Sequence, residues 1–84
     1  MLPHQHGVDA FSMQMAIGAG LVDAPSAVWW PEGSAWRVQA RSRTGTWEWI
    51  LTRDGATARF LEHHHAQATA EALGQGRALP DFAP

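Results

Sequence analysis

The sequence predicts an α+β domain: a helix, a three-stranded antiparallel meander and a second helix, with both helices on one face of the sheet. Two turn signals, Thr44-Gly45 and Asp54-Gly55, divide residues 35–60 into three alternating stretches whose apolar side chains fall on one side. Behind them, Ala66, Thr69, Ala70 and Leu73 recur at the 3.6-residue spacing of a helix face. Ahead of them, residues 8–22 are almost wholly apolar and too long for one strand. Two separate cores would not fit in 84 residues, so one domain is expected over residues 8–74, with loose tails at 1–7 and 75–84.

In the first helix, Val8 to Val22, Asp9 is the natural N-cap and Gly20 the C-terminal breaker. Val8, Phe11, Met15 and Val22 fall at helical spacing and make the expected inner stripe. Phe11, Met13, Met15 and Ile17 also alternate as a strand would, but length and the methionine and alanine content favour the helix. Next, Ala27-Val28-Trp29-Trp30 is bracketed by Ala24-Pro25-Ser26 and Pro31-Glu32-Gly33-Ser34. It reads as a short strand or an extended linker. Adjacent rings on an extended chain point opposite ways, so Trp29 and Trp30 are the candidates for an exposed, partner-binding aromatic.

In the meander, a two-residue turn at Thr44-Gly45 places Ser42 opposite Trp47, Ala40 opposite Trp49 and Val38 opposite Leu51. A second turn at Asp54-Gly55 sets Leu51 against Ala58 and Trp49 against Phe60. One face then holds Trp36, Val38, Ala40, Trp47, Trp49, Leu51, Ala58 and Phe60. Arg37, Gln39, Arg41, Arg43, Glu48, Ile50, Thr52, Thr57 and Arg59 lie on the other, with Arg41 opposite Glu48. The second helix runs from Leu61 to Leu73 and stops at Gly74. Leu79 and Phe82 are able to dock behind it, where prolines forbid a further helix.

Composition narrows the function classes. The absence of cysteine excludes disulfides, thiolate metal sites and thiol nucleophiles. No apolar run approaches the ~20 residues of a membrane span, and the N-terminus lacks the basic start of a signal peptide, so a cytoplasmic location without membrane partners is expected. The net charge of −2 is unevenly spread: residues 36–59 carry a balance of +3 and the remainder −5. All bases are arginine, which suits planar anion contacts.

Three constellations compete for a role. Arg37, Gln39, Arg41, Arg43 and Arg59 form a basic outer face whose donors suit base edges and phosphates, against the plainer reading of a solvated or protein-contacting sheet face. The tryptophan face resembles a base-stacking platform, but it is the only surface able to cover both helices, which makes it core. His63, His64 and His65 point three ways on a helix. Only an extended turn, helped by Glu62 or by His4 and His6, would let them share a metal, so a polar first helical turn with one ring tucked onto the core is preferred. No cofactor is expected. Nothing assembles a nucleophile, base and acid, a phosphate loop or paired inward carboxylates, so a non-enzymatic protein without a small-molecule substrate is expected.

The order of these pieces resembles a family. The apolar helix, Ala24-Pro25-Ser26-Ala27-Val28-Trp29-Trp30-Pro31, the meander opening at Trp36-Arg37-Val38, and Arg59-Phe60 leading to a helix that ends Ala72-Leu73-Gly74 are similar to small accessory proteins of bacterial plasmids and integrative elements, some of the partition-associated type. Those proteins carry a polar capping stretch before the last helix, where this chain has Leu61-Glu62-His63-His64-His65. The resemblance implies a mobile-element role with DNA or a DNA-binding protein as partner, and transfers no catalytic residues. The alternative is a protein–protein module, as a homodimer or an inhibitor of a host protein, acting through a sheet edge and Trp29 or Trp30.

Overall fold

A computed structural model describes residues 4–80 as one α+β unit. Its elements are β1 (His4–Val8), α1 (Ala10–Gly18), β2 (Ser26–Trp30), a single 3₁₀ turn (Pro31–Gly33), β3 (Ala35–Arg41), β4 (Trp47–Arg53), β5 (Ala56–Thr57) and α2 (His63–Gly74). The sheet is mixed and five-stranded rather than a three-stranded meander. Its order is β1-β4-β3-β2, with β5 on β4.

Within the predicted hairpin the register holds. Ala40 faces Trp49 and Arg41 faces Glu48, and the Ser42 amide donates to the Trp47 carbonyl at 2.9 Å. The loop is longer than two residues, however. Ser42 Oγ accepts from the Trp47 amide, and the Ser42, Thr44 and Thr46 hydroxyls form a chain across the tip. At the second turn, Asp54 and Gly55 both take positive φ, as a two-residue hairpin turn requires. Thr52 then faces Thr57, and the Ala58 amide donates to Leu51 at 3.0 Å, again in the expected register.

Three expectations are corrected. Residues 4–8 are not a tail but strand β1, parallel to β4 from His4↔Trp47 to Val8↔Leu51. Because β1 occupies the far edge of β4, the chain after Gly55 cannot pair there. It returns on the β3 side, where Trp47 and Leu51 turn their carbonyls, and passes to β3 through a Phe60–Trp36 bridge. Phe60 therefore faces Trp36 and not Trp49. Third, α1 buries Met13 and Ala16, whereas Phe11 and Met15 of the expected stripe are exposed. Val8 lies in the preceding strand, and a helix apolar on every side gives no phase of its own.

The helix ends follow recognisable chemistry. Asp9 caps α1 by accepting from the Ser12 amide at 2.7 Å, a bond that holds its carboxyl below the usual carboxylate range. Gly20, at φ +74, closes the other end, with the Leu21 amide reaching back to Ala16. In α2 the stripe Ala66, Thr69, Ala70 and Leu73 is buried as expected, but the terminator is Gly76 at φ +68 rather than Gly74, which lies inside the helix. Thr69 meets its burial by donating to the His65 carbonyl at 3.0 Å.

Both helices meet on the same sheet face, where Met13 of α1 and Ala66, Ala70 and Leu73 of α2 enclose Val38, Leu51 and Ala58. Trp36, Trp49 and Phe60 border this core, but Trp47 stays 44% exposed because neither helix covers its end of the sheet. There His4 tilts against Trp47, and His6 meets both Trp47 and Trp49 edge-on. Phe82 lies outside the described residues. Leu79 and Pro80 line one end of a cleft of about 530 Å³ between β4, β5 and the start of α2.

Candidate functional site

The strand order decides what the sheet offers to a partner. Among the described residues β2 is an outer strand, paired on one side only with β3 in the register Trp29↔Trp36 and Ala27↔Val38. Trp36 spends its own amide and carbonyl on Phe60, at 2.8 and 2.9 Å, away from β2. Trp29↔Trp36 is thus a non-hydrogen-bonded pair, and alternation turns the backbone groups of Ala27 and Trp29 outward. Those of Ser26, Val28 and Trp30 turn inward to β3. No charged residue lies between Ser26 and Trp30. Natural edges are usually guarded by charge, proline or a bulge. Here Pro25 and Pro31 guard only the two ends.

The adjacent tryptophans separate as their alternation demands. Trp29 lies on the helix side, edge-on to Trp36 at 5.4 Å, and remains 49% exposed beside the open edge. Trp30 lies on the other side, half-buried, with the Arg37 guanidinium 5.9 Å from its ring centre. A Cβ placed on Gly33 would come within 2.2 Å of the Trp30 ring, so the ring rests directly on that glycine.

The predicted arginine face is assembled only in part. Arg37 Nε donates to Gln39 at 3.1 Å, Gln39 donates to Glu48 at 2.8 Å, and Arg41 reaches the same carboxylate at 3.8 Å. The four make one row with an acid at its centre. Arg43 lies beyond it in the β3–β4 loop, 3.8 Å from Asp23. Arg59 donates to the Gly33 carbonyl at 2.7 Å and so clasps the 3₁₀ turn to the β5 segment. Ile50, expected on this polar face, is 4% exposed opposite Gln39.

The histidines divide as well. His63 packs edge-on against Trp36 at 4.5 Å, and His64 meets His65 edge-on. His4 and His6 are held in β1 on Trp47, not gathered beside them. Among the described residues no group of three or more histidine or acidic side chains is placed to hold a metal ion. No described helix is long and apolar enough to cross a membrane.

The backbone groups of Ala27 and Trp29 are not visible in side-chain composition. The available signal was a charge-free strand bracketed by prolines at 25 and 31, but it becomes a site only once β2 is known to be outermost. No protein-family model, curated protein or solved structure matches the chain.

Proposed function

We propose that this protein is an interaction module that takes up a partner by adding an extended strand to β2, with Trp29 as the aromatic anchor beside the new pair. The observation that carries this reading is the charge-free edge, where the amides and carbonyls of two residues have no strand partner among the described residues and lie next to a half-exposed indole. Main-chain bonds supply affinity in this mode of recognition, and a neighbouring large aromatic supplies much of the rest. Acting as a mobile-element accessory protein on another protein is compatible with such a surface.

A second reading places DNA on the outer face through Arg37, Gln39, Arg41, Arg43 and Arg59. It is favoured by the guanidinium side chains of Arg41 and Arg43, 60% and 66% exposed beside the threonines of the β3–β4 loop. It is weakened by Glu48 in the middle of the row and by the structural duty of Arg59.

One comparison separates the two. Ala27→Pro removes an outward amide that β3 does not use, and proline is tolerated at such edge positions. Tagged protein would capture its partner from source cells, with wild type, Ala27→Pro and Arg41→Glu/Arg43→Glu compared. Strand addition predicts loss in Ala27→Pro and retention in the arginine variant. Capture of DNA that weakens with salt and fails only in the arginine variant reverses the assignment.

A further inference from the structure

We infer that the strand added at β2 is β2 of a second copy, antiparallel, with a two-fold axis through Val28; this rests on the strand-addition reading above. The β2 edge is self-complementary. An antiparallel pair formed by two identical strands has a dyad at its centre, so the edge must match its own reverse. The outward positions of β2 are Ala27 and Trp29; the flanking Pro25 and Pro31 have no amide to donate, and the Pro31 carbonyl already receives the Ser34 amide. Only one register pairs the two competent residues with each other: Ala27 of one copy opposite Trp29 of the next, and the reverse across the dyad. It makes four main-chain hydrogen bonds.

Sliding by two residues in either direction sets a proline against Ala27 or Trp29, whose carbonyl then finds no amide opposite it. The prolines thus specify a register as well as blunt the ends. Side chains agree with it. On the helix side the large Trp29 indole falls beside the small Ala27, and on the outer side Val28 meets its own copy. With no charge in Ser26–Trp30, like charges do not oppose the approach. The other free edge, β1, adjoins residues outside the described range and turns Gln5 and Gly7 outward, a pair with less to anchor.

The chain has no cysteine, so a single introduced thiol reports the register cleanly. Val28 would face its copy as a non-hydrogen-bonded pair, with Cα atoms about 4.5 Å apart, within disulfide reach. Ser26 would stand about 14 Å from its copy, out of reach. The experiment is mild oxidation of Val28→Cys and Ser26→Cys, with sedimentation of wild type and Ala27→Pro over a wide concentration range. The expected result is a disulfide-linked dimer for Val28→Cys and none for Ser26→Cys. Wild-type mass should rise toward two chains, with at least about a tenfold weakening in Ala27→Pro.

A single chain at every concentration with Val28→Cys unlinked overturns self-pairing; if capture of another protein is still lost in Ala27→Pro, strand addition itself stands. A dimer that survives Ala27→Pro but is lost in Phe11→Ser/Met15→Ser also overturns it, moving the contact to the exposed side of α1.

Discussion

Met13→Ala is expected to destabilise the domain by about 2–5 kcal/mol, the range for emptying a buried methionine site. Met13 is fully buried between α1 and the sheet, and with Ala16 it is the only buried residue of that helix. Truncation removes the contact that holds α1 down, and a nine-residue helix has little stability alone. A chain of this length has roughly 4–13 kcal/mol in total, so the loss takes a large share. In thermal unfolding it appears as a fall on the order of 10–30 °C. Phe11→Ala, two positions away, should change stability by about 0.5 kcal/mol or less, because Phe11 is exposed. Equal losses for the two variants would place α1 in a different rotation on the sheet.

Gly33→Ala is the second. The new methyl would lie 2.2–2.7 Å from three atoms of the Trp30 ring, so the ring must leave its seat. Overpacking of this kind costs about 1–3 kcal/mol. The ring also carries the Arg37 contact, and the Gly33 carbonyl receives Arg59, so the β2–β3 connection should loosen as a unit. Denaturant unfolding measures the loss, and a second variant tests its cause. In a Trp30→Ala background, Gly33→Ala should cost much less than in wild type, a coupling expected of residues in contact. Additive losses would show that the glycine is needed for some other reason.

The sequence was most legible where local turn chemistry and alternation agree. Asp54-Gly55 and the pairs Ala40–Trp49 and Leu51–Ala58 set registers that the structure keeps, whereas the expected Val38–Leu51 and Trp49–Phe60 pairs give way to Trp36–Phe60. The stripe on α2 was legible for the same reason, since its small residues recur on one side only. Turn chemistry sets register but not side, and so it could not say that the chain after Gly55 returns between β3 and β4. β1 was hidden because a parallel partner some forty residues away leaves no turn signal, and His-Gln-His-Gly has no strand composition. Of the three histidine rings, one of which was expected on the core, His63 meets the edge of Trp36 but stays exposed. At the candidate site, adjacency foretold that Trp29 and Trp30 would part. The reactive feature itself is main-chain, and side-chain composition does not encode it.

The central claim is that β2 is the edge a partner strand joins. Residue-resolved amide exchange tests it most directly, in dilute protein and again with a partner or concentrated protein present. The account predicts that Val28 and Trp30 are protected throughout, while Ala27 and Trp29 exchange freely in dilute solution and slow sharply on association. Protection of Ala27 and Trp29 in the dilute single chain would contradict it, as would association that slows exchange elsewhere and leaves these two amides unchanged.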